Sequence, residues 1–168
     1  MRIVAVRERT IELSSATRNS SISFDAMTAS VVAVHTDARK NGRPLTGLAF
    51  DSIGRYGHGG LLRERFIPRL VAADPDSYAG GNGGIDPHRA WAVMMKDEKP
   101  GGHGERSGAV GMLDAALWDL AAKAADLPLW SLLAKRHGAA DAGPKIAIYC
   151  SGGHYRASND IEGLCDDL

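Results

Sequence analysis

The sequence is short of the features that mark most specialised functions. Its 20 basic residues are matched by 20 acidic ones, so no net field draws the chain to nucleic acid or to an anionic membrane. Two cysteines, Cys150 and Cys165, are too few for a disulfide framework or a four-cysteine zinc site. No apolar run approaches the ~18 residues of a membrane helix. The opening stretch, residues 1–13, alternates charge with apolar residues too quickly for a signal peptide. A cytoplasmic protein with reduced thiols is the expectation. The six histidines show no H-E-x-x-H and no close pairing, so no metal site is expected within this chain. Glycine, by contrast, is plentiful and clustered, with 20 residues. Neither GRYGHGG (54–60) nor GGHGERSG (101–108) fits a phosphate loop, and no G-x-G-x-x-G joins a strand to a helix.

What is present is a change of period along the chain. Residues 2–13 and 28–36 are rich in β-branched residues and read as strands. Residues 45–50 make a third strand, joined to the second by the hairpin signal Asn41-Gly42. From residue 60 the spacing turns helical. Leu61, Leu62, Phe66 and Leu70 share a stripe that Pro68 is placed to bend, and 80–87 reads as a flexible loop. Asp86-Pro87 is a helix start, and the helix it opens is expected to bury Trp91 with Met94 or Met95. The longest helix is expected over 106–125, with Val110, Leu113, Leu117, Leu120 and Ala121 inward. A short helix follows from residue 128 and is closed by Gly138. Residues 145–150, KIAIYC, read as a buried parallel strand, with a helix starting near Asn159.

The expected architecture is therefore α+β: a three-stranded antiparallel meander followed by a helical bundle over 1–138. Residues 139–168 would open a second unit.

The stretch AVGMLDAALWDLAAKAADLPLWSLLAKRHG (109–138) resembles the N-terminal capping domain of the mandelate racemase and muconate-lactonising branch of the enolase superfamily. GRYGHGGLLRERF (54–66) and MMKDEKPGGHGERS (94–107) are similar to segments of the D-tartrate dehydratase group of that branch. The resemblance implies that 139–168 begins an incomplete β/α barrel with its first strand. It implies a cap that closes over the barrel mouth and sets specificity for an acid-sugar or hydroxy-dicarboxylate. A complete barrel would hold Mg²⁺, abstract a proton α to a carboxylate and eliminate water. Such a barrel needs ~250 residues, so this chain alone is expected to lack catalytic residues and metal and to be inactive. A homo-oligomer that buries the uncovered surface is expected. The other reading is a stand-alone interaction domain that keeps the cap fold.

Three residues are candidate substrate contacts. Lys99 sits among glycines that let a loop approach an anion, or is a solvated loop lysine. Asn19 lies in a loop that reaches substrate in the family, or forms a turn. His154 stands where the tartrate group carries tyrosine, and Ile53 where it carries asparagine. Both departures weaken tartrate as the substrate and leave room for another acid sugar, with His154 either a hydrogen-bond donor or a loop histidine outside any pocket. Glu105 and Arg106 read as ordinary helix-start chemistry, Asp119 as a structural partner, and Trp91, Trp118 and Trp130 as core.

Overall fold

The computed structural model describes residues 1–14, 21, 23–24, 27–51, 57–99, 104–139, 143, 145–149 and 160–166. The β-branched stretches pair as expected. Strands β1 (Ile3–Glu12), β2 (Thr28–Lys40) and β3 (Arg43–Phe50) form an antiparallel sheet in the order β1-β2-β3. The β2–β3 turn places Asn41 at φ 53° and Gly42 at φ 75°, the two left-handed positions that make asparagine and glycine the favoured pair there.

One face of the sheet is covered by helices. Helix α1 (Gly57–Leu61) runs through a π-turn (Leu62–Phe66) into α2 (Ile67–Ala72). The bend expected at Pro68 appears as this π-turn: the Ile67 N–H bonds back to the Leu62 carbonyl, one residue beyond the α pattern. Pro68 has no N–H for the Glu64 carbonyl, and the widened turn accommodates its ring. Helices α3 (Pro75–Tyr78) and α4 (Pro87–Met95) follow, with Asp86 capping the His88 and Arg89 N–H groups of α4. The intervening glycines do not form a simple open loop: Ala79 bridges Ile85, and a 3-10 turn spans Gly81–Gly83.

Helix α5 (Glu105–Ala125) is the central packing element. Its Val110, Leu113, Ala116, Leu117 and Leu120 are buried at three- and four-residue spacing against Val32, Val34 and Leu45 of the sheet. The helix comes so close to β3 that a β-carbon at Gly47 would lie 2.0 Å from the Ala116 carbonyl oxygen. Asp119 is the structural partner expected, accepting from the Leu48 N–H at 2.8 Å and from Lys123 at 2.5 Å. The short helix α6 (Leu129–Arg136) buries no residue fully, and Gly138 follows it at φ 69°.

Several expectations are corrected. Met94 is buried, but Trp91 is 45% exposed and Trp130 is 44% exposed. Trp91 belongs to a helix whose inward stripe is taken by Pro87, Ala90 and Met94, and Trp130 to a helix with no fully buried residue. Trp118 is half-buried rather than in the core, with its face against the Arg136 guanidinium at 5.1 Å. Residues 145–149 are in no strand and are exposed. A strand exists only through its partners, and none of the described residues pairs with them. Helix α7 (Ile161–Asp166) does form, near the expected start. No helix among the described residues is long and apolar enough to cross a membrane.

Candidate functional site

The inner face of the sheet is apolar at one end and polar at the other. At the polar end, Glu8, Thr10 and Ser30 stand where the core would otherwise continue. The Ser30 N–H donates to Asp51 Oδ1 at 2.5 Å, while the Asp51 N–H donates to the Ser30 carbonyl at 3.0 Å. Asp51 Oδ2 meets His58 Nδ1 of α1 at 2.9 Å. The other ring nitrogen of His58 lies 3.2 Å from Glu105 Oε2 at the start of α5, within ion-pair range but off the hydrogen-bond axis. Two carboxylates thus bracket one imidazole, and the ring can donate to both only with a proton on each nitrogen.

Burial makes this arrangement exacting. The His58 and Asp51 side chains are each 3% exposed, and a buried charge without its partner is costly. Two glycines make room for it. A β-carbon at Gly108 would lie 2.2 Å from His58 Nε2, and one at Gly59 would lie 2.3 Å from the Thr10 hydroxyl. The network continues through the Thr10 hydroxyl, which lies 3.3 Å from Ser30 Oγ and itself donates to Glu8 at 2.7 Å. Glu8 is buried and paired with Arg63 of the π-turn.

A second carboxylate anchors the approach to α5. Glu98 receives Arg65 at 2.8 Å, Arg69 at 2.7 Å and Arg106 at 3.3 Å. Burial pushes its carboxyl up, but the Arg69 hydrogen bond and the charges of Arg65, Arg69 and Arg106 outweigh this and hold it below the usual range. The three arginines come from the π-turn, α2 and α5, so Glu98 ties both ends of the 99–104 segment to the helices.

These anchors share a location. The Leu13 N–H bonds to the Met27 carbonyl at 2.9 Å and closes the root of the β1–β2 connection. Asp51 and His58 flank residues 52–56. Glu98 and Glu105 flank residues 99–104. The described residues that border these three segments therefore stand at one end of the fold, beside the two polar clusters.

Of the sequence candidates, Lys99 lies at this end and is exposed. Asn19 and His154 lie outside the described residues, as do Ile53 and His103. Glu105 begins α5 as expected, but its carboxylate faces His58 and no side chain caps the helix. Sequence reading missed Asp51, His58 and Glu98. The one available signal was a histidine set between glycines directly after a strand and its loop; its carboxylate partners are 7 and 47 positions away.

The buried carboxylates of the described network face arginine, histidine, backbone N–H groups and, at Glu8, the Thr10 hydroxyl. Among the described residues, no three His, Cys, Asp or Glu side chains gather as a metal site. Open clefts of about 350, 380 and 630 Å³ lie beside Gly80–Asp86, beside Arg69 and Lys96, and beside Lys40 and Lys123, and none of the three is lined by His58.

A separate cluster holds α6. Arg136 makes two 2.9 Å bonds to Asp86, and His88 stands edge-on to Trp118 at 5.3 Å. Asp114, half-buried beside them, is pushed up by burial despite the His88 charge and a Trp118 hydrogen bond. Asp86 is pulled the other way: burial raises it, but the Arg136 and backbone hydrogen bonds prevail.

No family model matches the sequence. Among solved structures, the chain is similar to a mandelate racemase/muconate lactonizing enzyme-like protein from Rubrobacter xylanophilus. The two share 20% identity with a TM-score of 0.48, over 79% of this chain and 33% of that one. The chain therefore spans about a third of the length of that protein.

Proposed function

We propose that this chain is the capping, specificity-setting domain of a Mg²⁺-dependent acid-sugar dehydratase of the mandelate racemase and muconate-lactonising branch. The observation that carries the reading is that the described residues bordering 14–26, 52–56 and 99–104 stand together at one end of the fold, around Asp51, His58 and Glu98. A cap needs this arrangement: a rigid base, and loops that close together over a neighbouring active site. The sequence resemblance at 54–66, 94–107 and 109–138 supports it, because the first two stretches hold His58, Glu98 and Glu105 and the third holds most of α5 and all of α6.

In this reading the barrel supplies the metal, the base and the acid, and performs α-proton abstraction and loss of water. This chain supplies Lys99 and Asn19 as contacts for a carboxylate or hydroxyl, with His154 where residues 139–168 begin the barrel. Ile53 in place of asparagine favours an acid sugar other than tartrate.

The test begins with the coding DNA beyond codon 168, read in all frames and in the adjoining genes. A Lys-x-Lys strand followed by acidic strand ends supports the proposal. Co-expressing that segment with this chain should then give Mg²⁺-dependent keto-acid formation from an acid-sugar panel, and Lys99→Ala should raise KM. Absence of such codons, or turnover by the purified chain alone, overturns it.

A further inference from the structure

The outer face of the sheet, opposite the helices, has an unusual composition. An antiparallel sheet with one face to water normally places polar residues there. Here the register puts Ala29, Val31 and Ala33 of β2 outward, beside Ile11, Leu48 and Phe50. Phe50 is 78% exposed, Leu48 53%, Ile11 43% and Val31 36%. Along the β1 side of this patch run Arg9, paired with Val31, and Arg7, paired with Ala33, both exposed. The sheet thus presents an apolar stripe beside a basic stripe.

The chain carries a matching pair of stripes that is equally uncovered. In α7, Ile161 and Cys165 are one helical turn apart and exposed, with Ile161 at 72%. Glu162 and Asp166 follow them by one residue and form an adjacent acidic stripe. Positions i and i+4 on a helix stand about 6 Å apart, and positions i and i+2 on a strand about 6.7 Å. Glu162 and Asp166 therefore match Arg7 and Arg9 in spacing as well as charge, and each pair borders an exposed apolar stripe. Among the described residues, α7 makes no extensive contact with any strand of the sheet.

We infer that the outer sheet face is the seat of helix α7 from a second copy of this chain. The exchange is reciprocal and two-fold, each copy covering the other's Val31, Leu48 and Phe50. It uses the face opposite the helices; because the proposed function would place α7 in the barrel, it concerns this 168-residue chain by itself, and solution size tests it separately from turnover.

Size by light scattering and sedimentation tests this on the full chain. The expected result at low salt is twice the monomer mass, with dissociation as salt screens the exposed ion pairs. Arg7→Glu with Arg9→Glu should weaken the dimer by about tenfold or more, as should Glu162→Arg with Asp166→Arg. The four substitutions together should restore it, a result that no folding defect produces. Phe50→Ser should weaken it with unchanged circular dichroism. A monomeric wild type, or a dimer whose charge reversals do not rescue one another, overturns the inference.

Discussion

Gly108 of α5 packs so closely on His58 of α1 that a β-carbon at 108 would sit 2.2 Å from the ring nitrogen Nε2. The two helices are held at this distance because the opposite edge of the ring is fixed by Asp51 at 2.9 Å. The position of α5 over the loop-bearing end is thereby set by one imidazole.

Gly108→Ala should be destabilising, although alanine is the better helix former. The gain in helix propensity is about 1 kcal/mol, while overpacking a buried ring that cannot retreat costs about 1–3 kcal/mol. The clash prevails, and the urea midpoint should fall. A raised midpoint would show that the ring has room to move.

His58→Ala should cost more, about 3 kcal/mol or above, because it leaves the Asp51 carboxylate buried without its cationic or N–H partner. His58→Asn, whose amide is a donor, should recover part of the loss if it reaches Asp51. Equal destabilisation by the two variants would mean that ring volume, not the hydrogen bond, is what matters.

Asp119 separates two contributions. Asp119→Ala loses both the Leu48 N–H acceptor and the Lys123 pair and should cost about 1–2 kcal/mol. Asp119→Asn keeps an acceptor for Leu48 and loses only a surface ion pair, worth below about 1 kcal/mol. Thermal melts of the two variants should rank in that order.

Acid should act on the carboxyls in opposite directions. Glu98, Asp86 and Asp126 are held below their ordinary values, the last by its Lys40 partner. Their stabilisation is present above the unfolded pKa, near 4, and is lost as pH falls through the lower folded values. Glu98→Gln should therefore flatten the acid limb of stability. Asp114 has the reverse sign. Its raised carboxyl favours the fold below the unfolded pKa and loses that contribution as pH rises through the folded one. Asp114→Asn should then be more stable than wild type at pH 7, with the difference vanishing below about pH 4. A stability curve for Asp114→Asn parallel to wild type from pH 3 to 7 would contradict this.

Much of this was readable in advance where the cause is local. The hairpin at Asn41-Gly42, the Asp86 cap and the stripe of α5 each follow from a few neighbouring residues, and the three-stranded α+β order follows from where the period changes. The tryptophans were misread because periodicity says which stripe faces inward, but not whether a large ring fits there. The strand expected over 145–150 is absent over the described residues 145–149 for a related reason: a continuous apolar run describes what a segment would do beside partner strands.

The sequence alone therefore determined the elements of this protein and the resemblance borne by residues 109–138, since both depend on contacts within one turn or one hairpin. Only the tertiary structure decided that Asp51, His58 and Glu105, spread over 55 positions, would meet around one ring. The same holds for Glu98, which joins three arginines from separate turns. Such pairings depend on how closely α5 and α1 settle on the sheet, a distance set by Gly47, Gly59 and Gly108. That fit is a property of packed surfaces and cannot be read from spacing along the chain.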